Sequence, residues 1–211
     1  MLTLDQFKRA ADIPLALAVK WYPHVATTFQ EFGIDGPDAW SMFIAQVAHE
    51  SNGFSQVSES FNYSVDGLRA TFGKRITFSQ SSRLGRQPGE RIVPLARQME
   101  IANLVYGGRY GNDAAEGWEF RGRGLKQVTF KDNYRACGAV LRIDLVAEPD
   151  LLLQGKWAAL SAGWYWSANG LSQYATDIVR ATKIINGGAN GLSERKERLK
   201  IARAAFQQTV A

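Results

Sequence analysis

Two glutamates nine residues apart, Glu50 and Glu59, are the pair in this sequence best placed for proton-transfer chemistry. Glu50 follows Ala48-His49 and precedes Ser51-Asn52-Gly53, at the C-terminal end of an apolar helical stripe. A helix dipole disfavours negative charge there. A carboxyl so placed, among aromatics, is expected to hold its proton near neutral pH, as a general acid must. The alternative is an ordinary exposed glutamate in a fraying last turn. Glu59 lies between Ser58 and Ser60, a more polar setting in which a carboxylate stays ionised and can act as a base. On one continuous helix the two would stand about 13.5 Å apart along the axis and on opposite faces. Asn52-Gly53 breaks the helix between them, so the chain can turn back and set Glu59 across a cleft from Glu50. Carboxyls about 6.5–9.5 Å apart, with a water between, suit single displacement at a glycosidic carbon.

A third element is the run Phe120-Arg121-Gly122-Arg123-Gly124-Leu125-Lys126-Gln127-Val128-Thr129, followed by Asn133-Tyr134. Gly122 and Gly124 allow close approach of backbone to a ligand, or simply shape a turn. Read as an extended run, the segment puts Gln127 and Thr129 on one face. The Thr129 hydroxyl could hold a water; it could equally be the N-cap of the next helix.

The elements that must position these residues are mostly helical. Thr3 and Gln6 form a capping-box signature. A stripe opened by Pro14 runs to Tyr22, is interrupted by Pro23 and resumes to Gly33. Trp40, Phe43, Ile44, Val47 and Ala48 mark the buried face of a helix begun by Gly36-Pro37. Further helices are expected after Ser64, from Pro94 to Tyr106, over Thr129–Ala136, Lys156–Ala168 and Leu171–Ile185, and over Ser193–Gln208 with Ser193 as N-cap. Residues 74–91, rich in Ser, Gly and Arg, read as a long loop. Short strands are suggested at Phe54–Tyr63 and Lys126–Thr129. The sum is one mainly α catalytic domain over 1–211, with a small irregular insertion lobe at 64–110.

Composition narrows the chemistry. One cysteine, Cys137, excludes an intramolecular disulfide and a cysteine zinc site, and two histidines make a His-rich metal centre unlikely. No metal or cofactor is therefore expected. The apolar runs are too short to cross a bilayer, and Asp12 and Lys20 break up the first of them, so no signal peptide is expected. Between Arg69 and Tyr110 stand eight basic residues against only Glu90 and Glu100, so the whole positive excess of the chain sits in the insertion. Such a segment suits an anionic envelope surface or an acidic wall polymer, or is a solvated arginine-rich face. A non-catalytic polyanion or cell-wall binding module is the competing reading; paired glutamates in the groove argue against it. No helix-turn-helix or aromatic RNA-binding motif is present, so nucleic acid is not an expected partner. The abundant aromatics mostly fill cores, with Phe61, Trp118 and Tyr134 expected near sugar.

Taken in order, His49-Glu50-Ser51, Ser58-Glu59-Ser60, the Phe120–Thr129 run with Asn133-Tyr134, and Ile185-Asn186-Gly187-Gly188 resemble the chitinase-like glycoside hydrolases of family 19. More narrowly, they resemble the phage endolysins of that family that cut peptidoglycan. The resemblance spans about residues 40–200. It implies a lysozyme-like, mainly α, two-lobed fold with the cleft between the lobes. It implies Glu50 as general acid, Glu59 as general base and Thr129 as the residue that positions water. Gln127, Asn133 and Asn186 match sugar-binding positions, and Arg198 a basic residue near the acid–base pair. His49, Phe61, Trp118 and Tyr134 complete the expected substrate contacts. The implied substrate is the β-1,4-linked glycan strand of peptidoglycan, cut by a monomer that accumulates in a host cytoplasm until a separate pore releases it to the wall. Chitinase and lytic transglycosylase are the alternative activities. Plant chitinases of the family carry disulfides and a leader, and often have Pro-Ile-Gln-Leu-Ser where this chain has Leu125-Lys126-Gln127-Val128-Thr129. The lysine is expected to favour an anionic glycan.

Overall fold

The computed structural model describes residues 1–207, in ten α-helices and two short 3₁₀ turns. α1 (Leu4–Ala11) begins with the expected capping box, in which Thr3 and Gln6 satisfy each other's backbone N–H groups. α2 (Leu15–Glu31) runs straight through Pro23. The proline forfeits only the bond to the Val19 carbonyl, and Val19 lies on an exposed face. α3 (Pro37–Glu50) starts with Pro37 in its first turn and buries Phe43, Ile44, Val47 and Ala48. α8 (Gly155–Ala168), α9 (Ile178–Asn186) and α10 (Leu192–Gln207) complete the large core. In it α10 lies against α1 and α3, and α2 against α8.

A second core is built by α4 (Val65–Phe72), α5 (Phe78–Leu84) and α6 (Leu95–Tyr106). Phe61, Leu68, Ile76, Leu84, Val93, Ile101 and Val105 fill it. A third, smaller cluster joins Phe120, Val128, Tyr134 and Cys137 of α7 (Lys131–Leu141) and its approach to Leu145 and Leu152. The architecture is mainly α and lysozyme-like, as expected.

Several local expectations change. Residues 74–91 contain α5, held by a capping box between Thr77 and Gln80 and by buried Ser81 and Leu84. Among the described residues the strands reduce to single bridges, Ser58–Arg123, Arg123–Val128 and Ser64–Arg86. Residues 171–185 form a 3₁₀ turn and then α9, which Asp177 caps through the Arg180 N–H. α10 starts at Leu192, so Ser193 lies inside it; Gln208 is outside the described residues. Thr129 is not an N-cap, because the backbone at Phe130 (φ 76°) takes that position without a side-chain bond.

Candidate active site

Glu50 ends α3 among cations rather than aromatics alone. Arg195 of α10 bonds Glu50 Oε1 with one nitrogen and Gln46 Oε1 with another. Gln46 donates in turn to Thr182 of α9 at 3.2 Å. Lys126 Nζ lies 3.5 Å from Glu50 Oε2 and 4.4 Å from the Tyr165 ring centroid. Burial pushes Lys126 below the usual lysine range, Glu50 pulling it up and Arg195 adding to the fall. Behind Glu50, a small cavity is lined by Gln46, Lys126 and Tyr165.

Glu59 has the opposite surroundings. It is fixed by neutral donors: the Tyr106 hydroxyl donates to Oε1 at 2.8 Å and the Gly122 N–H to Oε2 at 3.2 Å. The Glu59 N–H donates to the Gly122 carbonyl at 2.8 Å. Burial pushes its carboxyl above the usual glutamate range, opposed by Tyr106, Gly122 and the Arg121 charge. The settings expected from the sequence are therefore exchanged: charge meets Glu50 and burial meets Glu59.

One turn links the two. Arg123 and Val128 exchange backbone bonds of 3.1 and 2.8 Å, and Gly124–Gln127 loops between them. The segment read as extended is thus a reversal, with Gln127 at φ 59°. From it Lys126 reaches Glu50, while Gly122 at its base holds Glu59. A Cβ on Gly122 would fall 2.8 Å from Gln127 Oε1 and 3.2 Å from Glu59 Oε2, which places Gln127 near Glu59 and lets both side chains lie close to the backbone there. Thr129 donates to the Gln127 carbonyl at 3.0 Å, and Asn133 to the Thr129 carbonyl at 2.8 Å. Glu59, Gln127, Thr129 and Asn133 so form one continuous group. The other end is equally constrained: Asn52 (φ 48°), Gly53 (φ 65°) and Phe54 (φ 61°) follow α3 in the left-handed region. Backbone of this kind persists where surrounding structure imposes it, often at functional sites. One carboxyl against cations and one against neutral donors, joined by one rigid turn, can divide proton donation from proton abstraction.

Comparison with known proteins decides the family. No family model matches the sequence. A Haemophilus influenzae protein described as a glycosyl hydrolase family 19 domain-containing protein is 36% identical over 177 residues, 82% of this chain and 83% of the relative. The chain belongs to glycosyl hydrolase family 19. An endochitinase of Arabidopsis thaliana is 27% identical over 131 residues, 59% of this chain and 44% of that protein. Among solved structures, chitinase C from Streptomyces griseus superposes with a TM-score of 0.60 at 15% identity, covering 98% of this chain and 93% of that one. A second bacterial family 19 chitinase gives a TM-score of 0.62 at 19% identity, covering 97% and 94%. These likenesses show the same fold, and the family makes the chain a glycoside hydrolase.

Within this family 19 domain, other expected contacts take structural roles. Phe61 is fully buried in the second core, edge-on to Tyr106 at 5.8 Å, and offers no face to a sugar. Tyr134 is also fully buried; its hydroxyl donates to the Arg121 carbonyl at 2.7 Å and receives Arg123 at 3.0 Å, so it braces the turn. Trp118 remains half-buried, with the Arg121 guanidinium 3.9 Å from its ring centroid. Asn186 ties its own loop, donating to the Asn190 carbonyl at 2.7 Å and accepting from the Gly188 N–H at 2.8 Å. His49 Nδ1 lies 2.9 Å from Glu194, and Arg198 Nε 2.8 Å from the same carboxylate. A Cβ on Gly191 would strike the His49 ring at 2.4 Å, so glycine lets that pair form. The basic residue beside Glu50 is therefore Arg195, and Arg198 pairs with Glu194 instead. Tyr106 and Arg121 also join the site unannounced, and Lys126, expected to favour an anionic glycan, instead faces Glu50. Arg195 had a signal: with Leu199 and Ala202 it falls on the buried stripe of α10, whereas Arg198 does not.

Proposed function

We propose that this chain hydrolyses β-1,4 linkages of peptidoglycan by single displacement with inversion. The observation that carries the reading is the turn that holds Glu50 through Lys126 on one side and Glu59 through Gly122 on the other. Glu50 protonates the leaving glycosidic oxygen. Glu59 removes a proton from a water that Thr129 and Gln127 help to place, and that water attacks the anomeric carbon from the opposite face. A raised pKa makes Glu59 the stronger base once ionised, and Tyr106 and Gly122 favour that ionised form. Lytic transglycosylases need no base for water, so Glu59 held in this way favours hydrolysis.

The preference for peptidoglycan rests on charge. Lys126 does not supply it, since its ammonium is committed to Glu50. The support comes from Arg69, Lys74, Arg75 and Arg91, exposed in the insertion and suited to an anionic wall. The endolysin role, with release from a host cytoplasm by a separate pore, is part of this proposal. Among the described residues no helix is long and apolar enough to cross a membrane. A chitinase is the second reading, favoured by the chitinase names of the Arabidopsis relative and the solved structures.

Glu50→Gln and Glu59→Gln are each expected to lower solubilisation of purified peptidoglycan by at least about 10²-fold with unchanged circular dichroism. Near wild-type turnover in both would refute the assignment. Mass spectrometry of the muropeptides should show reducing ends, and anhydro ends would instead indicate a transglycosylase. Faster cleavage of chitin oligomers than of peptidoglycan would establish the chitinase reading.

A further inference from the structure

The acid–base scheme gives Lys126 no step of its own beyond holding Glu50, although its side chain is only 14% exposed and lies beside that carboxylate. The charged and titratable groups that face it are Glu50 on α3, Arg195 on α10 and Tyr165 on α8. Arg195 pairs with Glu50, and arginine side chains do not give up their proton in proteins. Two cations and one carboxylate leave this enclosed cluster with one positive charge in excess, which a poorly solvated site penalises. Loss of one proton leaves a guanidinium–carboxylate pair beside a neutral amine, with no net charge. Arginine cannot be the source of that proton, and Glu50 is the group positioned to relay it.

We propose that Lys126 stores the proton that Glu50 delivers to the leaving group. The inference rests on the reading of Glu50 as the general acid. In the first transfer a Lys126 Nζ–H bond breaks as an O–H bond forms on Glu50 Oε2, giving an amine and a carboxylic acid. That proton then passes to the glycosidic oxygen as the bond from the anomeric carbon to this oxygen breaks, and the bonding electron pair stays on the leaving oxygen. The water oxygen bonds to the anomeric carbon and its proton goes to Glu59. Glu50 ends as a carboxylate paired with Arg195, and Lys126 takes a new proton from solvent. Nζ and Oε2 are 3.5 Å apart, and contacts of this kind tighten in the transition-state complex. The depressed proton affinity of Lys126 eases that release.

The test is the pH dependence of kcat and KM on purified peptidoglycan for Lys126→Met and Lys126→Arg. Methionine keeps the stem without charge; arginine keeps the charge but does not release its proton. Both variants should lose kcat about 10- to 100-fold with KM within about twofold of wild type. In Lys126→Met the alkaline limb of kcat should move to lower pH, because no neighbouring ammonium is left to reload the acid. Wild-type kcat in Lys126→Arg would show that charge alone suffices and overturn the proposal. An unshifted alkaline limb in Lys126→Met, or a loss confined to KM, would overturn it as well. If the arginine variant does not fold, the methionine pH profile decides. Activity in Glu50→Gln would instead refute the underlying acid assignment, so the two failures are distinguishable.

Discussion

A buried carboxyl that ionises carries a standing cost in the folded protein, and Glu59, the base of the proposed mechanism, shows how the cost is limited. Burial disfavours its ionised form, while Tyr106, Gly122 and Arg121 restore part of the lost solvation. Its folded pKa lies above its unfolded one, so between the two the native state binds more protons than the unfolded chain. Stability therefore falls as pH rises from the ordinary glutamate range through the raised value, and the full cost is present above it. Glu59→Gln removes the titration. Its melting temperature should exceed that of wild type at neutral pH, and the difference should shrink as pH falls through the raised pKa. Calorimetry across that range checks this; a difference that grows on acidification would contradict the direction given for Glu59. The same titration sets activity, which should fall on the acid side as Glu59 takes up its proton.

At the scale of elements, the helices were legible because periodicity reports burial directly. The stripe Phe43, Ile44, Val47, Ala48 delivered α3 and with it the position of Glu50. The turn between Arg123 and Val128 was not legible. It depends on a positive φ at Gln127, which residue type does not announce, so alternation read it as extended. α5 was missed because it has only seven residues and an overall polar sequence; its capping box was its one local signal. The turn is also where a small change should matter most. Gly122→Ala places a methyl group 2.8 Å from Gln127 Oε1 and 3.2 Å from Glu59 Oε2. The side chains must give way and the base must shift. Glu59 must move by a few tenths of an ångström, less than the ~1 Å that costs about 10²-fold in rate, so turnover of the alanine variant should fall by roughly 10-fold while its circular dichroism matches wild type. Retained turnover would mean that Gly122 does not hold the base in the working complex.

For the whole molecule, the distribution of charge is the remaining lever on substrate choice. Between Arg69 and Tyr110 both acids are already engaged, Glu90 with Arg97 and Glu100 with Arg83. Arg69, Lys74, Arg75 and Arg91 remain exposed, and Arg69 lies 4.8 Å from the Phe78 ring centroid. Their field acts beyond contact distance, within a Debye length of about 10 Å at moderate salt. It should therefore raise encounter with an anionic wall without altering the chemical step. Replacing all four with glutamine should lower cosedimentation with purified cell wall about tenfold at low salt. The difference should fade as salt rises. Cleavage of an uncharged chitin oligomer should not change, because none of the four contacts the Gly122–Gln127 turn or its carboxyls. If the variant binds wall as well as wild type at low salt, the insertion is an ordinary solvated surface, and the case for peptidoglycan must come from the cleft alone.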